Sequence, residues 1–132
     1  MRPDKENAIR CKETVLFNIV KDAGPYRRLI RDSYYLNREN YIKNYLLYRC
    51  LKEDKELCVK ERVVMDKVWF SKEYIEFTDN EKSVFNARML ELRTFSEIGK
   101  LYGITDSKAR NLFESYVKKF KKAYDNMYLN ER

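Results

Sequence analysis

The chain has 132 residues, of which 44% are hydrophobic, and this is enough for one domain or two very small ones. Lys and Arg outnumber Asp and Glu by 28 to 21, and the net charge of +7 suits a polyanionic partner without requiring one. The sequence contains no histidine, which excludes Ser/His and Cys/His nucleophile pairs and removes the commonest metal ligand.

The remaining composition argues against a metal site, an enzyme and a membrane protein. The cysteines, Cys11, Cys50 and Cys58, form no CxxC pair and are predicted to be buried reduced thiols, so we expect no metal or other cofactor. No Gly-rich phosphate loop is present, so nucleotide hydrolysis has no support. No run approaches the roughly 18 apolar residues of a membrane span, and the charged N-terminus lacks the apolar core of a signal peptide. We therefore expect a cytoplasmic protein without membrane contact.

The scarcity of glycine and proline, at 3 and 2 residues, favours an all-α fold. Residues 1–77 are predicted to form an N-terminal bundle of three to four helices that binds a partner or supports oligomerisation. Apolar residues recur at helical spacing in four segments, which are Glu6–Ala23, Tyr26 to about Leu36, a segment capped by Asn37 that runs to about Leu51, and about Lys55 to Phe70. Lys52–Lys55 is predicted to be a charged connector.

Aromatic and basic residues alternate through much of this N-terminal segment. Such mixtures can stack exposed bases. The helical spacing of the rings favours the other interpretation, in which most of them lie in a core that the stems of basic side chains cover.

Two capping boxes mark helix starts in the C-terminal part of the chain. Thr78 is followed three residues later by Glu81, and Thr94 by Glu97, so each pair can satisfy two backbone N–H groups that have no helical partner. These signals open a segment, residues 78–132, that we predict to be a domain of its own, a trihelical helix-turn-helix unit.

The turn of this unit is predicted at Gly103, where a positive φ is needed and a Cβ is costly. Thr105 is expected to cap a long last helix, from about Asp106 to Tyr128. Gly99 and Ala109 are small at the points where two helices crossing at a steep angle come closest. This is the anatomy of a helix-turn-helix, whose second helix enters a DNA major groove.

Five short patterns between residues 78 and 122 carry a family resemblance. They are T-x-x-E-x-x-V from Thr78, RMLE from Arg88, TFSEI from Thr94, YGIT from Tyr102, and Arg110 six residues after Ile104. Together they resemble region 4 of the bacterial sigma-70 family, which recognises the promoter −35 element. LuxR-type regulators and phage late-gene activators share most of this pattern. The family usually has Gly at the position of Leu92 and Ala at the position of Gly99.

The resemblance implies a DNA interface on the last helix. By the resemblance, Ser107, Arg110 and Asn111 lie where base edges are read, since Arg can donate two hydrogen bonds to guanine and Asn can pair with adenine. The side chains expected at phosphates are Arg88, Thr94, Thr105, Lys108, Ser115 and Lys118. Asp106 and Glu114 are predicted on the same face, where their negative charge opposes contact with DNA.

We therefore predict a sequence-specific, sigma-like transcriptional regulator of the kind that phages and mobile elements carry. Its partners would be double-stranded DNA and RNA polymerase. The alternatives are a helix-turn-helix module used mainly for protein interaction, an accessory factor in phage DNA packaging or recombination, and a helical hairpin that never meets DNA. A homodimer through the C-terminal helix or the N-terminal region is also open, because the aromatics late in the last helix must be buried against the N-terminal helices or a second copy.

Overall fold

The computed structural model describes residues 4–51 and 59–130, with the backbone alone for 4–11. In these ranges the fold is all-α, as predicted, and contains no strand. The helices are α1 (Asp4–Val20), α2 (Arg27–Leu36), α3 (Arg38–Cys50), α4 (Val59–Phe70), α5 (Asp79–Met89), α6 (Phe95–Tyr102) and α7 (Asp106–Asn130). No helix in this part of the chain combines the length and apolar character needed to cross a membrane.

The helix boundaries in the N-terminal half follow from local chemistry. α1 ends at Val20, and not at Ala23 as predicted from the sequence. Gly24, with φ +57, opens a short 3-10 turn, Gly24–Tyr26, that leads into α2. Asn37 separates α2 from α3 and caps α3 as predicted, since its Oδ1 accepts a hydrogen bond from Asn40 N at 3.2 Å. The predicted connector Lys52–Lys55, the predicted start of α4 and Cys58 lie outside the described residues.

A single hydrophobic cluster draws on both halves of the chain. α3 and α4 each pack against α7. Phe120 and Tyr124, late in α7, are buried in the single chain, so a second copy is not needed to cover them. The segments 1–77 and 78–132 thus share a core, whereas their separate roles stay a prediction.

Residues 1–77 contain eleven aromatic side chains, and seven of them belong to this core or pack against it. Four are buried, namely Tyr26, Tyr41, Tyr45 and Trp69, and three are partly buried, namely Tyr34, Tyr48 and Phe77. The other four, Phe17, Tyr35, Phe70 and Tyr74, are exposed. Among the cysteines, Cys50 is a buried free thiol, and burial raises its pKa to about 12. The side chains of Cys11 and Cys58 lie outside the described residues.

The corner between α5 and α6 has an unusual backbone. Leu92 has φ +52, a left-handed conformation that residues other than glycine rarely adopt, and no other non-glycine residue of the described ranges has a positive φ. Its side chain is buried. The corner is closed by a hydrogen bond from Arg93 N to Ala87 O at 3.1 Å. Burial of the leucine side chain therefore offsets the strain of its backbone.

Glu81 is a buried carboxylate that joins α5 to α7. Within the predicted capping box, Thr78 N donates to its Oε1 at 2.8 Å, and Glu81 N donates to Thr78 Oγ1 at 3.1 Å. From α7, Lys119 Nζ donates to Oε1 at 2.7 Å, and Ser115 Oγ donates to Oε2. The side chain is only 4% exposed. Glu81 therefore caps the N-terminus of α5 and also fixes the position of α7 against α5.

The pKa of Glu81 reflects these contacts. Burial raises it, but the hydrogen bonds from Lys119, Ser115 and Thr78 outweigh burial and lower the pKa from 4.5 to about 2. Because the pKa is lower in the folded than in the unfolded chain, the carboxylate stabilises the fold fully above about pH 4.5. This contribution is lost as the pH falls through about 2.

We expect Glu81→Gln to lower the free energy of unfolding at pH 7 by about 2 kcal/mol, because the amide cannot replace a charged acceptor. The stability of the variant should also change less than that of the parent between pH 4.5 and pH 2. Urea unfolding at pH 7 and pH 3 measures both effects. The control is Glu91→Gln, which removes an exposed carboxylate. Parallel pH dependence of Glu81→Gln and the parent would contradict this account.

Candidate nucleic-acid interface

α6 and α7 are joined by a tight turn at residues 103–105. Gly103 has φ +67, and nothing lies within 4 Å of the position that a Cβ would occupy, so backbone conformation and not crowding favours glycine here. Thr105 Oγ1 accepts a hydrogen bond from Lys108 N at 3.1 Å and thereby caps α7. The turn and the cap lie where the sequence predicts them.

Gly99 determines how closely the turn approaches α6. Its carbonyl oxygen accepts a hydrogen bond from Ile104 N at 2.8 Å, and a Cβ on Gly99 would lie 2.6 Å from Ile104 O. Ala109, the other small residue predicted at this crossing, is fully buried. The start of α7 is therefore held at short range by α6, which gives its outer face a defined position.

That outer face is open. Ser107, Arg110 and Asn111, the predicted base-reading residues, are all exposed on the first two turns of α7. Their spacing places them on one side of the helix. Lys108 and Asp106 are exposed beside them. The packing of the N-terminal helices on α7 therefore leaves this surface accessible.

Two arginines lie against the ring of Phe95. The guanidinium carbons of Arg88 and Arg110 are 4.5 Å and 5.1 Å from the ring centroid, which is within the range of cation–π attraction. Arg88 is half-buried, its Nη1 donates to Arg93 O at 3.2 Å, and burial lowers its pKa below the ordinary value. Arg110 is exposed. Phe95 thus orients Arg110 at the surface, while Arg88 is engaged within the protein.

The other predicted phosphate contacts differ in their surroundings. Thr94 is half-buried and caps α6, with its Oγ1 accepting from Glu97 N at 3.0 Å. Ser115 is half-buried, and its hydroxyl group donates to Glu81, away from the open face. Lys118 is exposed, one helical turn beyond Glu114. Lys118 is therefore accessible, whereas the hydroxyl of Ser115 is committed to a contact inside the protein.

Arg49 of α3 belongs to this surface and is not predicted from the sequence. Its Nη2 lies 2.5 Å from Glu114 Oε2, and its Nη1 donates to Tyr45 Oη at 2.8 Å. Glu114 is predicted to bring negative charge to the groove-facing side, and the structure shows that Arg49 pairs with this carboxylate. The two residues are 65 positions apart in sequence, so only the packing of α3 on α7 brings them together.

No family model, curated protein or solved structure matches this chain. Within the described residues, no three His, Cys, Asp or Glu side chains are grouped in a way that could hold a metal ion. The open face presents hydroxyl, amide and guanidinium groups, together with the ammonium group of Lys108 and the carboxylate of Asp106.

We expect Gly99→Ala to lower the free energy of unfolding by about 1–3 kcal/mol, because a backbone carbonyl must move to admit the Cβ. This loss is partly masked by the better helix propensity of alanine, which is worth about 1 kcal/mol. Gly103→Ala should cost about 1–2 kcal/mol through its backbone conformation alone. Chemical denaturation measures each, with Lys100→Ala as the exposed control on α6. A Gly99→Ala protein as stable as the parent would show that the approach of the turn to α6 is not tight.

Proposed function

We propose that this chain is a sequence-specific DNA-binding regulator of transcription, in which α6 and α7 form a helix-turn-helix and the start of α7 enters a major groove. The observation that carries the proposal is the open polar face of Ser107, Arg110 and Asn111 on a helix that is rigidly held on its other side. A hairpin that never meets DNA would also expose polar side chains, but it does not require two capping boxes, a turn glycine and small residues at the helix crossing, which together agree on a helix-turn-helix.

Base recognition is assigned to the three residues of that face. Arg110 can donate two hydrogen bonds to guanine, and its contact with Phe95 reduces the number of positions that it samples. Asn111 can pair with adenine through its amide, and Ser107 can bond to either base type. The proposed contacts therefore read at least two neighbouring base pairs.

Phosphate contacts are assigned to the polar groups around this face. Thr105 and Lys108 lie at the N-terminus of α7, where the helix dipole also favours a negative group. Lys118 extends the positive surface along α7, and Thr94 flanks it on the preceding helix. Arg88 is left out of the contact set, because its half-buried guanidinium group donates to Arg93 O. Ser115 is left out of the contact set, because its hydroxyl group bonds to Glu81. These phosphate contacts fix the position of the protein on the duplex and make its affinity depend on salt. They do not determine which DNA sequence is bound.

The resemblance to sigma-70 region 4 supports a role at promoters together with RNA polymerase. The left-handed backbone at Leu92 lies at a position where that family usually has glycine, which is the residue that best tolerates this conformation. By the same resemblance, the protein acts in the cytoplasm and belongs with the small sigma-like activators that phages and mobile elements carry.

A second candidate function is protein interaction through the same unit. Leu101 and Tyr102, at the end of α6, are 52% and 44% exposed, although both side chains are large and largely apolar. Two adjacent exposed side chains of this kind favour contact with a protein surface and not with DNA. Docking of α6 on a polymerase subunit is compatible with DNA binding by α7, since the two surfaces are on different helices.

We expect Arg110→Ala to weaken binding to the cognate duplex by about 1–3 kcal/mol and to relax base choice at one position. The cognate duplex is obtained by selection from a random pool with the full chain, with and without RNA polymerase. Fluorescence anisotropy at two salt concentrations then gives the affinity. Lys122→Ala, at an exposed position late in α7, is the control. Failure to enrich any sequence, or equal affinity of Arg110→Ala and the parent, would overturn the proposed interface.

A second prediction concerns Arg49. Arg49→Ala leaves the Glu114 carboxylate unpaired beside the proposed phosphate path, so we expect DNA affinity to fall about 3- to 10-fold at low salt. The double variant Arg49→Ala/Glu114→Gln removes both charges and should recover most of that loss. The same anisotropy assay measures both proteins. A loss that persists in the double variant would mean that Arg49 acts through the fold or touches DNA itself, and not by neutralising Glu114.

A further inference from the structure

A groove of about 840 Å³ lies between α1 and α2. All of its lining residues fall between Glu13 and Tyr35, so it is distinct from the proposed DNA-binding residues. The groove exists because the 3-10 turn at Gly24–Tyr26 redirects the chain after α1, and because α2 packs far more extensively on α3 than on α1. Leu16 and Val20 contribute buried aliphatic side chains to it.

Two large aromatic side chains in the lining are left in water. Phe17 is 61% exposed and Tyr35 is 64% exposed. Phe17 lies on α1 and Tyr35 on α2, so the rings come from the two opposite walls. These two exposed rings form an apolar surface that a partner can cover.

The charged residues of the lining are three arginines and Asp32 on α2 and Glu13 on α1. Arg27, Arg28 and Arg31 occur at a spacing that places them along one side of the helix, and all three are exposed. Arg28 is paired with Asp32, with Nε 3.7 Å from Oδ2, whereas neither Arg27 nor Arg31 is paired with a carboxylate of the described residues. Two arginines therefore present unpaired guanidinium groups beside an apolar surface.

We propose that this groove is a docking site for an acidic amphipathic helix of a partner protein. The apolar side chains of that helix would cover the rings of Phe17 and Tyr35, and its carboxylates would pair with Arg27 and Arg31. Helix-in-groove recognition combines these two features, an apolar stripe for affinity and flanking charges for orientation and specificity. Carboxylates also suit arginine in particular, because the guanidinium group can bind both oxygens.

Other occupants fit the groove less well. Duplex DNA supplies phosphates for the arginines but no apolar surface for the rings of Phe17 and Tyr35, which would stay exposed to water. A second copy of this chain carries a net charge of +7 and is repelled by the arginines. An anionic vesicle satisfies the charge, but a flat surface does not fill a groove between two helices. The acidic helix satisfies both the charge and the shape.

The test is selection from a displayed library of random 16-residue peptides on the immobilised full chain, followed by anisotropy with the enriched peptides. We expect acidic sequences with apolar residues every three or four positions. The variant Arg27→Glu/Arg31→Glu should weaken their binding at least 10-fold, and Phe17→Ser at least 5-fold. Lys100→Glu/Lys122→Glu, which makes the same charge change elsewhere, should alter it less than 2-fold. Circular dichroism and urea unfolding verify that each variant is folded.

The proposal is overturned if no peptide is enriched, if the enriched peptides lack acidic residues, or if the groove variants bind them as well as the parent does. It is also overturned if duplex DNA or anionic vesicles lose binding on Arg27→Glu/Arg31→Glu while the peptides do not. Phe17→Ser keeps the test valid if the double arginine variant does not fold. Binding of the same variants to the selected duplex is expected to be unchanged, so failure of this proposal is distinguishable from failure of the DNA-binding function.

Discussion

The carboxylate of Glu81 is the contact on which the geometry of the C-terminal unit depends. It accepts hydrogen bonds from Thr78 on its own helix and from Ser115 and Lys119 on α7. Apolar packing between α5 and α7 brings these helices together, but it is not directional and would tolerate sliding or rotation. A buried charge with several fixed donors tolerates little of either. The open face of α7 therefore has a defined orientation because the opposite face is held by this residue.

The N-terminal helices contribute both packing and a charged contact to this arrangement. α3 and α4 pack on α7 and bury its later aromatic residues, and α3 also delivers Arg49 to Glu114. The guanidinium group neutralises the carboxylate of Glu114, which lies one helical turn beyond Arg110. The electrostatic character of the C-terminal surface is thus partly set by a residue from the other half of the chain. The two halves of the chain therefore share a core and an ion pair, although the sequence patterns predict two separate domains.

Local signals in the sequence predict the local structure well. The capping boxes at Thr78 and Thr94, the cap at Asn37 and the turn at Gly103 are all present, because each depends on residues within four positions of one another. The exposed face of α7 follows for the same reason, from helical periodicity alone.

Contacts over long sequence distances were not predictable. The Arg49–Glu114 pair, the bond from Ser115 to Glu81 and the groove between α1 and α2 depend on how helices pack, and no spacing in the sequence encodes them.

The left-handed leucine at the α5–α6 corner has a consequence for substitution. Replacing Leu92 by glycine would relieve a backbone strain of about 1–2 kcal/mol, and it would remove a buried side chain worth about 1.5–3 kcal/mol. The second quantity is the larger, and the cavity left by the side chain adds to it. Leucine therefore makes this corner more stable than glycine would, although glycine is the residue that its backbone conformation favours.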